Sequence, residues 1–312
     1  MLEKQNCCLV DWLTFTSKIH SETSIIDLLH LSGATWEHKD SFRYGYSHRC
    51  SFSNITVLSG GSDDMGVCVD MSGTGCRAFE DFSSLSWFDF FALLMDPYNE
   101  INITRLDLAF DDHTGILDMG QLLDDTDNHM YRKNGNWWKV EYGSQGTTIY
   151  HGSPQSDIRC RIYDKAAERG FIDEGVHWIR VELVLRHNNA SNAIREILVR
   201  HSVGDVFSGV LRNYLCYLSP SNDSNRSRWP IADYWLSLLG SIAPISLWEA
   251  PGLDYNIFNL ERYLVDQAGG ALITWMNVVG LDKLESLLKK RTKRLNPKHI
   301  KLIEQFGKEI NI

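Results

Sequence analysis

Arg159-Cys160-Arg161-Ile162-Tyr163-Asp164-Lys165 reads as a β-strand with a charged face. Side chains alternate across a strand, so Arg159, Arg161, Tyr163 and Lys165 point one way while Cys160 and Ile162 point the other. A phenol set among cations suits a nucleophile, because positive charge favours the phenolate over its ordinary pKa of ~10 and would hold a phosphate beside it. The same residues also suit an ordinary solvated face, with Tyr163 one β-prone aromatic among twelve tyrosines.

Two further segments share this construction. In Arg105-Leu106-Asp107-Leu108-Ala109-Phe110-Asp111-Asp112, the residues Leu106, Leu108 and Phe110 face a core, and Arg105, Asp107, Ala109 and Asp111 face away from it. Carboxylates two residues apart on one face are unfavourable unless a cation lies between them, which points either to a divalent metal or to ordinary salt bridges. In Trp178-Ile179-Arg180-Val181-Glu182-Leu183-Val184-Leu185-Arg186, an apolar face of Ile179, Val181, Leu183 and Leu185 backs Arg180, Glu182 and Arg186. If the three strands are neighbours, Asp107 and Glu182 could chelate Mg²⁺ or Mn²⁺ beside Tyr163, with Arg161, Lys165 and Arg180 around a phosphate.

Strands dominate the first two-thirds of the chain: Val10 to Thr16, Cys50 to Leu58, Met65 to Met71, Ile103 to Asp111, Thr147 to His151, Ile158 to Lys165 and Trp178 to Arg186. Helices are expected at Thr23 to Leu31, Ser84 to Met95 and Leu117 to Leu123. They are too few to serve as crossovers in a parallel sheet, so the expected fold is α+β, a largely antiparallel curved sheet followed by a mostly helical C-terminal region. Helical patterns run from Ala190 onward, including Val206 to Leu218, Asn259 to Asp266, Ala271 to Val278, Leu281 to Lys290 and Pro297 to Gly307. The domain boundary is placed near residue 203, giving a catalytic domain over 1–203 and a helical DNA-binding and assembly domain over 204–312. No internal repeat is visible.

The net charge of −9 argues against indiscriminate nucleic-acid binding, so DNA contact must be local. Residues 280–312 carry nine Lys or Arg against four Asp or Glu, and Lys289, Lys290, Arg291, Lys293 and Arg294 form either a DNA-contacting patch or a solvated helix end. The seven cysteines include no CxxC pair, so neither a disulfide framework nor a structural zinc site is expected from spacing. No leader segment and no membrane-spanning apolar run are expected, and a cytoplasmic location follows. None of the eleven histidines forms an HxH pair; His151 and His187 flank the charged strands and could assist a leaving group, touch DNA or play structural roles. The glycine-rich turns lack a P-loop ending, so no ATP use is expected.

Six motifs, in order, resemble the replication initiation factors of rolling-circle plasmids, with a flavour closer to the filamentous-phage, RstA-like branch. They are Asp11-Trp12-Leu13-Thr14-Phe15-Thr16, Ser72-Gly73-Thr74-Gly75-Cys76-Arg77, Thr104 to Asp111, Gly146 to Ser153, Arg161 to Gly170 and Ile179-Arg180-Val181-Glu182. The resemblance implies that Tyr163 is the nicking nucleophile, that Asp107 and Glu182 are metal ligands for Mg²⁺ or Mn²⁺, and that Asp111 is a weaker candidate. It also implies a homodimer acting on an origin with an exposed single-stranded nick site in a bacterial host cell, leaving a 5′-phosphotyrosyl bond and a 3′-OH primer for a host polymerase, with a helicase as a further partner. A relaxase of an integrative element, a non-catalytic DNA-binding regulator and a nuclease using water are the alternatives.

Overall fold

The computed structural model describes residues 5–144, 146–171, 175–247 and 269–283, together with positions 286 and 303. Within the first 247 residues lies one antiparallel sheet of ten strands. Its strands are β1 (Cys7–Ser17), β2 (Glu37–Asp40), β3 (His48–Phe52), β4 (Ile55–Ser59), β5 (Val67–Met71), β6 (Ile101–Asp112), β8 (Trp138–Gly143), β9 (Gly146–His151), β10 (Ile158–Asp164) and β11 (Ile179–Arg186). β7 (Tyr131–Lys133) pairs separately with β12 (Leu215–Tyr217). The antiparallel α+β class expected from the sequence is the class observed.

The spatial order β2-β3-β4-β5-β1-β6-β11-β10-β9-β8 is symmetric about the β1/β6 pair. Each half starts with a long central strand, passes through a helix, and returns by a four-stranded meander that pairs with its starting strand. The helices are α1 (Glu22–Leu28) in the first half and α4 (Met119–Asp127) in the second, and the first half ends with α2 (Gly73–Phe82) and α3 (Trp87–Met95). This repeat of topology leaves no trace in the sequence because strand order requires only the alternation of apolar residues, which many sequences satisfy.

The apolar stripes of β6, β10 and β11 form a core with helices α6 (Asn188–Arg200) and α7 (Val203–Tyr214) laid across them. Ala190, Ala193, Ile194 and Ile197 of α6 and Val206, Phe207, Val210 and Leu211 of α7 are buried, and the Phe110 and Phe207 rings stack with centroids 6.2 Å apart. The boundary expected near residue 203 is therefore corrected: the compact units are residues 1–247 and 248–312. A helical period shows that a helix has an apolar face but not which surface that face meets. α8 (Asp233–Leu239) extends the first unit's core with fully buried Trp235, whose indole N–H donates to the Leu215 carbonyl at 3.1 Å. In the second unit, α9 (Gly269–Val279) agrees with the helix expected at Ala271 to Val278. Lys289, Lys290, Arg291, Lys293 and Arg294, and the helices expected at Asn259 to Asp266, most of Leu281 to Lys290 and Pro297 to Gly307, lie outside the described residues.

Two local expectations are overturned by turn and packing chemistry. Cys50 to Leu58 is a hairpin rather than one strand, because Ser53 and Asn54 adopt φ of +43° and +66° between paired Phe52 and Ile55, a two-residue loop whose twist suits antiparallel strands. Leu215 to Tyr217 leaves the expected helix to form β12 against β7. Gly66 immediately precedes the return strand β5 with φ of +65°, and a Cβ there would sit 2.1 Å from the Ser17 carbonyl oxygen. Gly66→Ala is expected to lower unfolding stability by more than about 1 kcal/mol, as read by urea denaturation; an unchanged midpoint would refute the close approach.

Asp112, fully buried at the end of β6, accepts N–H bonds from Thr114, Gly115 and Leu117 at 3.0, 3.1 and 2.7 Å. Burial opposes its charge, but the Leu117 and Thr114 amides and the His177 ring outweigh that and hold the carboxyl below the usual range. A depressed pKa gives stability that is present above the unfolded value of ~3.9 and lost as pH falls through the folded value. Asp112→Ala is expected to cost about 2–4 kcal/mol at pH 7 and to flatten the acid limb of the stability curve below about pH 4, measured by denaturation at stepped pH.

Candidate active site on the charged sheet face

Strand register sets the site. β11 lies between β6 and β10, so Tyr163, Arg180 and Asp111 form one row across the sheet and Arg161, Glu182 and Ala109 form the next. Val184 and Asp107 occupy the row after that. Because all these charged residues share the face opposite the apolar stripes, three separate segments of sequence become one surface.

Arg180 is fixed by three bonds. Its Nε and Nη2 donate to the two Asp111 oxygens at 2.6 and 2.7 Å, and its Nη1 donates to Asp11 Oδ1 at 2.7 Å. Asp11 reaches this site through a β-bulge: β1 shifts register between Val10, which faces Leu108, and Trp12, which faces Asp107. The extra residue turns Asp11 and Trp12 to the charged side while Val10, Leu13 and Phe15 stay in the core. The Arg105 guanidinium lies 4.1 Å from the centre of the Trp12 ring and binds Asp107 through two bonds, at 2.8 and 2.6 Å.

Around Tyr163 the contacts are looser. Its hydroxyl donates to Glu182 Oε2 at 3.4 Å and lies 3.4 Å from Lys165 Nζ, while Arg161 Nη2 holds the same Glu182 oxygen at 2.6 Å. Lys165 is not a strand residue as expected. β10 ends at Asp164, whose carboxylate caps the short helix α5 (Lys165–Glu168) by accepting the Ala167 N–H at 2.9 Å, and Lys165 also pairs with Glu168. Arg159 stacks its guanidinium 4.2 Å from the Tyr150 ring and lines neither cavity beside Tyr163.

The electrostatics depart from the expectation of a ready phenolate. Burial first, and then the Glu182 charge, push the Tyr163 hydroxyl well above the ordinary tyrosine range, against the pull of Arg180 and Arg161. Burial also opposes the Glu182 carboxylate, yet Arg161, Arg180 and Arg105 overcome it and keep that carboxyl low. Asp107 goes the other way: burial, with the Glu182 charge beside it, outweighs its Arg105 partner and pushes it up to about 8. Burying two carboxylates near each other is unfavourable, and a proton or a cation at Asp107 relieves it.

Space is open on both sides of the phenol. One cavity of about 540 Å³ is lined by Asp11, Trp12, Arg77, Arg105, Tyr163, Lys165, Arg180 and Glu182, among others. Another of about 500 Å³ is lined by Tyr142, Gly146, Thr148, Tyr150, Arg161 and Tyr163, with Glu168 on its rim. His151 and His187 stand apart. His151 is fully buried on the core side, bonded to the Tyr217 hydroxyl at 3.0 Å and pushed by burial down to about 3, while His187 pairs with Asp157 at 3.0 Å. Asp11, Trp12, Arg77 and Arg105 are the site residues to which sequence reasoning gave no role. All four lie inside the six family-like motifs, but only the bulge, the strand register and the packing of α2 bring them to the cavity beside Tyr163.

Two family models divide the chain between them. The replication initiation factor model matches residues 101–290, and the N-terminal domain of rolling circle replication initiation proteins matches residues 7–93. The junction between them coincides with the point where the second half of the sheet begins at β6. The chain is 30% identical over 264 residues to the protein named "Putative DNA relaxase NicK" of Bacillus subtilis (strain 168), covering 79% of this chain and 74% of that one. A rolling circle replication initiator protein of solved structure from Geobacillus stearothermophilus superposes with a TM-score of 0.69 at 30% identity, covering 78% of this chain and 99% of that one. With the fold and most of the chain's length matched in this way, the chain belongs to the replication initiation factor family.

Proposed function

We propose that this protein initiates rolling-circle replication by nicking and rejoining DNA at Tyr163. The observation that carries the chemistry is the placement of the Tyr163 hydroxyl, 3.4 Å from both the Glu182 carboxylate and the Lys165 ammonium, at the meeting of two open cavities. The phenol oxygen attacks the scissile phosphorus and its proton passes to Glu182. The P–O3′ bond breaks, the departing 3′ oxygen takes a proton from water, the hydroxide left is neutralised by the proton that Glu182 gives up, and the 5′ phosphate stays on Tyr163. Lys165, Arg161 and Arg180 stabilise the charge that develops on the phosphate and the phenol oxygen. The phosphotyrosyl bond keeps the free energy of the phosphodiester, so a later 3′-OH reverses the step and closes a strand without ATP.

Asp107 and Glu182 fit a divalent ion. Both are buried oxygen donors of the kind Mg²⁺ and Mn²⁺ take, and the raised Asp107 pKa marks a place where positive charge is wanted. Such an ion, when bound, polarises the scissile phosphate. Asp111 is the weaker candidate ligand: an arginine binds both oxygens of each carboxylate, but Arg180 keeps Asp111 below the usual range whereas burial pushes Asp107 up. Its role is to hold Arg180 in place.

The likeness to a named relaxase favours a second setting with the same bond chemistry, in which the nick serves strand transfer of a mobile element. In either setting the substrate is DNA with an unpaired nick site. A host polymerase would extend the 3′-OH, and homodimer formation and helicase recruitment are carried as family properties. Lys289, Lys290, Arg291, Lys293 and Arg294 are proposed as DNA contacts. The test is incubation with the element's origin and Mg²⁺ or Mn²⁺, followed by a denaturing gel. A protein-linked strand supports the reading, and metal-dependent cleavage without any covalent link overturns it in favour of water attack.

A further inference from the structure

At the far end of the sheet from Tyr163, three side chains converge where α1 crosses edge strands β2 and β3. Glu22 is the first residue of α1 and accepts the Ser59 hydroxyl at 3.2 Å. His38 on β2 lies directly opposite Cys50 on β3, and His48 precedes Cys50 by two residues, so alternation turns all three to the side on which Cys50 enters the core.

The separations are informative. His38 Nδ1 lies 3.4 Å from Glu22 Oε1 and 3.4 Å from His48 Nε2, and His48 Nε2 lies 3.5 Å from Glu22 Oε2. All three are long for hydrogen bonds, which cluster at roughly 2.7–3.2 Å. The nitrogen–nitrogen separation matches the edge of a coordination tetrahedron, since ligand atoms about 2.0–2.1 Å from zinc at the tetrahedral angle lie roughly 3.3–3.5 Å apart, and each Glu22 oxygen stands at that spacing from one imidazole, so the carboxylate can meet the ion through either oxygen or both. The second nitrogen of His38, Nε2, faces Cys50 Sγ at 3.8 Å, the kind of outer contact that orients a ligating imidazole. The Cys50 thiol belongs to the same cluster, with ligand atoms of Glu22, His38 and Cys50 all within 4.8 Å of one another. Glu22 and His48 meet the His38 ring at Nδ1 and Cys50 meets it at Nε2, so an ion held at Nδ1 leaves the thiol as outer support.

The geometry points to a divalent transition-metal site of the zinc class, built by Glu22, His38 and His48 with solvent completing the coordination. Two imidazoles and a carboxylate select zinc-like ions over Mg²⁺, so this site is chemically separate from the one proposed at Asp107 and Glu182. His38 and His48 are 55% and 38% exposed, which leaves an ion a path in from solvent. The site also answers a structural need. All four residues of β2 are exposed, so no apolar burial holds this outermost strand, and an ion tying His38 to β3 and α1 would fasten the sheet edge.

Cobalt titration of the full-length, chelator-treated protein in excess Mg²⁺ tests this. The expected result is a visible cobalt absorption band that saturates at one equivalent and is displaced by Zn²⁺. His38→Gln and His48→Gln, at an exposed and a half-buried position and with the fold checked by circular dichroism, should each weaken binding at least about tenfold, while Cys50→Ser should retain the band. Zn²⁺ should raise the thermal unfolding midpoint of the natural protein and leave that of the double histidine variant unmoved. No saturable band, equal affinity in either histidine variant, or loss on Cys50→Ser with retention in His48→Gln each overturns the assignment.

Discussion

Tyr163→Phe is expected to abolish the covalent protein–DNA adduct, a loss of about 10⁴-fold or more in nicking, because the atom that forms the new bond to phosphorus is removed. The change should be nearly silent elsewhere. The hydroxyl makes only two long contacts, at 3.4 Å each, and the ring remains to fill its place between the Arg161 and Lys165 cations. Binding of a nick-site oligonucleotide, read by fluorescence anisotropy, should therefore change by no more than about twofold. The adduct is read with an oligonucleotide labelled at its 3′ end, since the 5′ phosphate of the downstream fragment stays on the protein. Tyr142 and Tyr150 line the neighbouring cavity and are the internal controls. Wild-type adduct levels in the Tyr163→Phe protein, or a phosphotyrosyl peptide mapped to either of those residues, would remove Tyr163 from the role.

Glu182→Gln is the second large effect, with nicking expected to fall about 10²–10⁴-fold. The amide keeps the shape and can still accept from Arg161, but it takes no proton from the phenol and is a poor ligand for a hard cation. The sign of the pH effect follows from the site. In the natural protein Glu182 stays ionised through neutral pH while Tyr163 is held protonated, so the carboxylate is available to receive the proton throughout that range. In the variant that acceptor is gone, and the residual rate should rise with pH as hydroxide takes over. A pH–rate profile for the variant parallel to that of the natural enzyme would refute the proton-acceptor role. A metal requirement unchanged in concentration would refute the ligand role. Glu182→Ala is the less informative change, since it strands the Arg161 guanidinium without its partner and threatens the fold.

Much of this architecture could be read from alternation alone. Arg105 to Asp111, Arg159 to Tyr163 and Ile179 to Glu182 alternate with period two, and each strand lies with its apolar stripe in the core as that pattern demands. Alternation fails wherever one residue is inserted. Strict alternation through β1 would put Asp11 on the side of Leu9 and Leu13 and Trp12 on the side of Val10 and Thr14, whereas the bulge gives the core Val10, Leu13 and Phe15. Asp11 was invisible as a partner of Arg180 for that reason. Lys165 lies beside Tyr163 not by strand alternation but because a helix start carries its ammonium back to the phenol.

The sequence by itself determined which side chains could share a face, because the period of a strand is local and needs no knowledge of neighbours. It also determined the family, through motifs whose order survives without coordinates. Only the tertiary structure decided which strands are adjacent, where α6 and α7 pack, and that Tyr163 titrates upward rather than downward. The physical reason is that pairing, packing and burial are non-local. A cation two residues away favours a phenolate in water, but the same phenol buried against Glu182 keeps its proton until something else in the site takes it.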